Sequence, residues 1–427
     1  MACRDMNKKR LLLNAEPFGF GPTAAIADCF PFLREHFSKV GYVGVGFTLD
    51  LQRPLPYDAM HDITGVPAEL EDAVLAEVFA QYDIFVTALD FGMAAKAKAA
   101  GLKVVIYDPL TWYWKSIPPV VHAADLYIAQ DFFGVRERLQ SEPQHFNAAN
   151  VRVVPPIIGD VGHSVGERDT VLLNLGGLNN PFWSAEGTLA YARFIVEAFA
   201  AVAKNVDIVI TANKCIAANA RIAQELAEFG VKNLSRSEMQ EVLKGAKFAL
   251  MTPGLGNVYD AARFDIPTIW LPPANDSQGQ QLLTLIDHGM VDGFVDWHHL
   301  LDRQPIDYDA EQTAVLKKVS NAVARACGRQ SAKSKLEKRL AACITAISEA
   351  NQWRLDTRRS SRQLPKAASR TAQLVDKFGA GGAREVGRLV AELASEMNIT
   401  SNKGAHADAH SQQGTHDSAL PQNGGAQ

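Results

Sequence analysis

The sequence predicts an α/β protein with two parallel-sheet domains, followed by a helical extension. Three observations predict it. The chain has 427 residues, and at ~100–200 residues per domain that length suits two domains with an appendage. Short apolar runs alternate with helical patterns in two successive series, which is the signature of βαβ units. A Pro-Pro at Pro155–Pro156 and an aperiodic, glycine-bearing connection at 157–169 separate the two series.

In the first series, strands are expected at 10–14, 40–47, 83–89, 103–107, 126–130 and 151–154. Helices are expected at 24–37, 68–81 and 92–100. In the second series, strands are expected at 170–175, 206–211, 247–252 and 268–271, and helices at 190–203, 221–229, 257–264 and 277–288. Ser235 followed by Glu238 reads as a capping box that opens a further helix to about Gly245. The expected organisation is a Rossmann-like domain over 1–160, a second over 165–355, a basic linker and helix over 356–398, and a disordered tail over 399–427. The tail is rich in Ser, Gly, Gln, Asn and His and poor in large apolar residues. From about Ala310 the chain turns helical, with Leu336, Leu340, Cys343, Ile344 and Ile347 on one stripe.

Composition narrows the function. With 43 Lys+Arg against 47 Asp+Glu the net charge is −4, which excludes the strongly basic field of a dedicated nucleic-acid binder. The five cysteines form no CxxC pair. That argues against a disulfide framework or a Cys-rich zinc site and for a reducing compartment. The start of the chain lacks a signal-peptide pattern, and no stretch approaches the ~20 apolar residues that span a membrane. A soluble, cytoplasmic enzyme is therefore expected. The oligomeric state is left open.

The most informative stretch runs over 251–289: MTPGLGNVYDAARFDIPTIWLPPANDSQGQQLLTLIDHG. It reads as strand, glycine turn, helix, strand, Pro-Pro turn, polar loop and helix. Gly254 and Gly256 allow close backbone approach to a ligand. The free N–H groups over Leu255, Gly256, Asn257 and Val258 favour an anion such as a diphosphate. Asp260 lies about one turn inside the helix, where a carboxylate can accept from a ribose diol. Asp276, Gln278 and Gln281 suit sugar hydroxyls. The bland alternative is a glycine turn that packs a helix on a sheet beside a solvated loop.

This arrangement resembles the donor-sugar motif of GT-B glycosyltransferases, the group that contains MurG and the plant and antibiotic UDP-sugar transferases. The matching residues are Gly254, Asp260, Pro267, Pro272, Asp276, Gln278 and, loosely, Gln281. The sequence departs from the motif in four places. Asp260 replaces a Glu, Asp265 stands where Gly is usual, Ser277 separates Asp276 from Gln278, and Gln281 takes the place of Asn. VLLNLGGLNNP at 171–181 resembles the first strand and loop of a GT-B second domain. The resemblance implies that Gly176, Gly177, Asn179 and Asn180 face the donor phosphates. Together with PTIWLPPANDSQ, these motifs look most like cytosylglucuronate synthase-type enzymes, which join glucuronic acid from UDP-glucuronate to cytosine or hydroxymethylcytosine. The resemblance covers roughly 10–350. It implies a GT-B fold, a UDP-sugar donor and a small-molecule acceptor.

The first domain is expected to hold the acceptor. Its loop over 14–23 follows a strand, with Gly19 and Gly21 bringing it to the cleft. The loop has no histidine, so Glu16 is the first candidate base, and Asp90, after the strand at 83–89, is the second. Either could instead cap a helix. In Asp108-Pro-Leu-Thr-Trp-Tyr-Trp-Lys115 the aromatics, Trp112 and Trp114 among them, can stack on a planar acceptor that Asp108 or Lys115 orients. A hydrophobic lid or interface is the alternative. Asn213 and Lys214 follow a strand of the second domain and can line the donor side. A uronate donor calls for a cation, for which Lys214, Arg263 and Lys115 are candidates.

No cofactor and no metal are expected. His298 and His299 lack a ligand pattern, and no suitable DxD loop is present. In a GT-B enzyme, helix dipole and backbone N–H groups receive the departing diphosphate. The expected activity is therefore transfer of a sugar from a UDP-sugar to a small acceptor. Two rival readings are an epimerase acting on the sugar nucleotide alone and a non-catalytic nucleotide-sugar-binding protein.

Overall fold

The computed structural model describes residues 8–158, 168–178, 183–203, 207–212, 224, 229–360 and 369–412, with side chains described as far as 350 and 398 in the last two segments. The first domain is a seven-stranded sheet. Its strands are β1 (Arg10–Ala15), β2 (Lys39–Gly44), β3 (Ala59–Asp62), β4 (Ile84–Ala88), β5 (Lys103–Asp108), β6 (Leu126–Gln130) and β7 (Val151–Val154). Six helices connect them: α1 (Gly21–Arg34), α2 (Phe47–Gln52), α3 (Ala68–Phe79), α4 (Phe91–Ala99), α5 (Pro119–Ala123) and α6 (Val135–Ser141). The spatial order is β3-β2-β1-β4-β5-β6-β7, and every pairing is parallel. Strands buried on both faces read as continuous apolar runs. Leu11-Leu12-Leu13 and Val104-Val105-Ile106 are such runs, fully buried on β1 and β5.

The second domain is a five-stranded parallel sheet in the order β12-β11-β10-β8-β9. Its strands are β8 (Thr170–Asn174), β9 (Asp207–Thr211), β10 (Ala246–Met251), β11 (Thr268–Trp270) and β12 (Gly293–Phe294). Its helices include α7 (Ala185–Val202), α8 (Arg236–Gly245), α9 (Leu255–Arg263), α10 (Asp276–Asp287), α11 (Trp297–Leu300), α12 (Gln312–Cys327) and α13 (Gln330–Ser360). The two-sheet α/β architecture expected from the sequence is thus the one observed. The expected capping box is formed: Ser235 and Glu238 each cap the other's backbone N–H. Most of the expected helix over 221–229 lies outside the described residues, as does 159–167 of the interdomain connection.

The differences have local causes. The second strand stops at Gly44 rather than 47, because the Thr48 hydroxyl ties back to Val45 and starts α2. Strand β3 was not expected. It is an edge strand of sequence AMHD with no apolar run, recruited by backbone pairing to β2. Strand β12 has only two residues, too few to show a period.

The helices past Ala310 divide between the two domains. Helices α12 and α13 pack on α7 of the second domain. There Leu336, Leu340, Cys343 and Ile347 join its core. After α14 (Gln373–Phe378), whose Phe378 packs on Phe132 and Phe133 of the first domain, α15 (Gly382–Gln412) crosses over to lie along α1. Its Ala383, Val386, Leu389, Val390 and Ala394 are buried with Ile26, Phe30 and Leu33. Helix α13 runs through Ser360 into the expected linker, and α15 runs through Gln412 into the expected disordered tail. Extending a helix already nucleated by packed turns needs only one hydrogen bond per added residue. Residues 361–368 and 413–427 lie outside the described residues.

Gly387 is where α15 meets α1 most closely. A Cβ there would stand 2.7 Å from Phe32 Cβ and 2.9 Å from the Phe32 carbonyl oxygen. Alanine is ordinarily the better helix former. At this contact overpacking opposes that gain and costs ~1–3 kcal/mol. Gly387→Ala is expected to lower the urea midpoint; an unchanged or raised midpoint would show that the two helices are not held this closely.

Candidate functional site

In an open parallel sheet, ligands bind beyond the carboxyl ends of the strands, where the strand order reverses. In the first sheet that point lies between β1 and β4, so the loops after these strands meet there. Glu16 directly follows β1, and its backbone N–H donates to the Ala88 carbonyl at 2.9 Å. Asp90 caps α4 by accepting from Met93 N at 2.9 Å, as its alternative reading expected. It follows Leu89, whose φ of 69° is an uncommon conformation for a non-glycine residue. The strand order therefore brings the two candidate bases together. Burial first, then repulsion from Asp90, pushes the Glu16 carboxyl up to about 7. Burial also raises Asp90, against hydrogen bonds from Met93 N and Asn14. Below them Asn14 is fixed, donating to the Val43 carbonyl at 3.1 Å and accepting from the Thr87 hydroxyl at 2.7 Å. Gly19 lies in the loop that leads into α1, and Gly21 is the first residue of that helix.

In the second sheet the order reverses between β8 and β10. The turn at Gly176 and Gly177 follows β8, and Gly254 follows β10. Gly254 is the N-cap of α9 and makes no side-chain cap bond, so Leu255, Gly256 and Asn257 begin the helix with open amides. A Cβ on Gly256 would face open space, whereas one on Gly177 would overlap the Thr252 hydroxyl. The segments are cross-tied. Asn174 donates to Asn257 Oδ1 at 3.1 Å, and Asn257 donates to the Thr252 carbonyl at 2.9 Å. Gln278 donates to the Gly177 carbonyl at 3.2 Å and accepts from Ala274 N at 2.9 Å. Gln281 is 2% exposed, and its amide nitrogen has no partner. Asn179, Asn180, Asn213 and Lys214 lie outside the described residues.

The departure at Asp265 is explained by its φ of 50°. Asp is one of the few residues besides Gly that visits this left-handed region. Its carboxylate also accepts from Ser369 N at 2.7 Å.

The two domains are bridged directly by polar side chains. Tyr113 donates to Asp276 Oδ2 at 2.5 Å. Lys115 donates to the carbonyls of Asp309 and Ala310. Arg236 of α8 donates to Asp260 Oδ2 at 2.9 Å and reaches Asp28 of α1 at 3.6 Å. Asp276 and Asp260, expected at the sugar and the ribose, are thus both engaged by protein groups in this closed arrangement. Asp108 is fully buried. It accepts from Tyr127 at 2.6 Å, Trp114 Nε1 at 2.8 Å and Leu110 N at 2.6 Å. It holds the aromatic loop rather than presenting a free carboxylate, and burial raises it to about 6. Trp112 packs against Phe132, and Trp114 against Phe91. Arg263 is half-buried near Asp28, with no partner on Nε.

Sequence reasoning passed over Arg236 and Asp28, and read Tyr113 only as one of the loop's stacking aromatics. Arg236 did carry a signal, since a cation in the first turn of a helix opposes the macrodipole. His298 pairs with Asp296 at 3.0 Å. Among the described residues no group of three His, Cys, Asp or Glu is placed to hold a metal ion, and no helix is long and apolar enough to cross a membrane. An open groove of about 660 Å³ lies between Phe32, His36 and Arg388, at the end of α1 away from Glu16.

No protein-family model matches the chain, and no curated protein matches it. Solved structures similar to it include three glycosyltransferase-type proteins. Acinetobacter baumannii MurG is 13% identical over 90% of this chain and 99% of its own, with a TM-score of 0.47. Arabidopsis thaliana UGT89C1 complexed with UDP is 13% identical over 87% and 99%, with a TM-score of 0.46. The glycotransferase of kitacinnamycin is 13% identical over 90% and 99%, with a TM-score of 0.45.

The Glu16 shift sets the sign of a pH effect. Its folded-state pKa of about 7 lies above the ordinary 4.5, so between these values the folded chain binds a proton that the unfolded chain has released. Stability contributed by Glu16 therefore falls as pH rises from 4.5 to 7. Glu16→Gln is expected to remove that fall. Parallel urea-midpoint profiles for the two proteins across this window would contradict the raised pKa.

Proposed function

We propose that this chain is a glycosyltransferase that moves a sugar from a UDP-linked donor to a small planar acceptor. The motif resemblance favours glucuronic acid as the sugar and a cytosine-type base as the acceptor. The observation that carries the reading is the meeting of three motif segments at one reversal point. The Gly176–Gly177 turn, the uncapped start of α9 after Gly254 and the Gln278 side chain converge there.

The amides of Leu255, Gly256 and Asn257 receive the diphosphate, as an open helix N-terminus favours an anion. Asp260 accepts from the ribose diol, and Asp276, Gln278 and Gln281 face the sugar once Tyr113 releases Asp276. Trp112 and Trp114 form the acceptor wall, held in place by Asp108. Glu16 removes the acceptor proton as the acceptor attacks the anomeric carbon. The bond from that carbon to the diphosphate oxygen breaks, and UDP leaves. Donor charge developing on the diphosphate is met by preorganised backbone amides. A base with a pKa near working pH is well matched to this step, and Glu16 at about 7 meets that condition.

The test is release of UDP from a panel of UDP-sugars with and without cytosine-type acceptors. Turnover is expected only with acceptor. Asp260→Ala should raise donor KM at least tenfold, while Glu16→Gln should lower kcat by about 10²-fold with donor KM little changed. Sugar isomerisation without acceptor would indicate an epimerase, and no turnover with any pair would sink the reading.

A further inference from the structure

Helix α8 opens with Arg236 directly after the N-cap Ser235, a position where the macrodipole disfavours a cation. The side chain is only 35% exposed. Two carboxylates from two other elements account for it. Asp260 of α9 binds Arg236 Nη1 through Oδ2 at 2.9 Å, and its side chain is 13% exposed. Asp28 of α1, in the other domain, lies 3.6 Å from Arg236 Nη2. These charges hold the guanidinium above its ordinary pKa. Only one Asp260 oxygen is used by Arg236, and Asp28 belongs to the helix that follows the Glu16 loop.

We propose that Arg236 is a positioning residue for the donor nucleotide. It fixes the Asp260 carboxylate by one oxygen so that the other faces a ribose hydroxyl, and through Asp28 it ties that carboxylate to α1. The proposal rests on the donor-site reading above. Without Arg236, two carboxylates would face one another across the domain junction with no cation between them, and Asp260 would lose its fixed orientation. A lysine cannot restore this fully, because a point charge lacks the planar fork that reaches two carboxylates at once.

Ribose recognition separates positioning from general damage. The full chain is titrated with UDP and with 2′-deoxy-UDP by calorimetry. The unaltered protein is expected to prefer UDP about tenfold, in line with one lost hydrogen bond to a charged group. Arg236→Met and Asp260→Ala are both expected to shrink that preference to within about twofold, with Arg236→Lys between. Arg236→Gln replaces the Met variant if the latter does not fold. An unchanged preference in the folded Met or Gln variant, with Asp260→Ala losing it, overturns the proposal and leaves the donor site standing. No binding of either nucleotide by the unaltered protein overturns both. Asp28→Asn should keep the preference but lose the added hydrogen-exchange protection of α1 amides that UDP brings. Unchanged protection in that variant would overturn the interdomain half.

Discussion

Everything at the site depends on two parallel sheets, each with one point where the strand order reverses. The first reversal, between β1 and β4, sets Glu16 beside Asp90 although three helices and three strands of chain lie between them. The second, between β8 and β10, sets the Gly176–Gly177 turn against the start of α9. Neither pair is a product of local sequence. Each follows from which strands are neighbours, and the neighbours follow from right-handed crossovers and apolar strands buried on both faces. The chemistry proposed needs a base on one side and an anion-accepting helix end on the other. This topology puts both at loop positions on rigid strands.

The domains are joined by more than a linker. One buried apolar cluster runs from Leu12 and Phe85 of the first domain to Trp270 and Leu285 of the second. Upon that apolar contact lie the polar bridges of Tyr113 to Asp276 and of Arg236 to Asp260 and Asp28. Exposed ion pairs contribute little to stability. These bridges engage partly buried carboxylates, so their consequence lies in orientation and in how closely the domains stand. Asp276, proposed at the sugar, is held by Tyr113 of the opposite domain, whereas Asp260 is held by Arg236 of its own domain, which in turn reaches Asp28. Helix α15 completes the link by lying along α1, the helix that carries Asp28.

Much of this was legible in the chain. Strands β6 and β7 were readable to the residue because each is a short run bounded by polar turns. The capping box at Ser235 and the stripe from Leu336 to Ile347 were equally direct, since both are local patterns. Gly254 was read as a ligand-approach turn from its place between strand and helix, and Gly176 and Gly177 through the resemblance of their segment to a GT-B second domain. Edge strand β3 was not legible, because an edge strand can be held by backbone pairing without an apolar run. The partnerships of Tyr113 with Asp276 and of Asp28 with Arg236 were beyond reach for another reason. They join segments far apart in the chain and exist only once the domains dock. Asp108 shows the opposite error: a residue type suited to binding is consumed in holding a loop. The substitution at Asp265 looked like a loss of the motif, yet the backbone keeps the left-handed turn that a glycine would supply.

The central claim is that the segments around Gly177, Gly254 and Gln278 form a nucleotide-diphosphate site. The most direct test is thermal unfolding of the intact chain with UDP, GDP, TDP and ADP, each with and without its sugars. A ligand that binds only the folded state raises the midpoint by mass action. The account predicts a rise with UDP that grows when a sugar, glucuronate above all, is attached. No shift with any nucleotide would contradict it and reduce those glycine turns to packing.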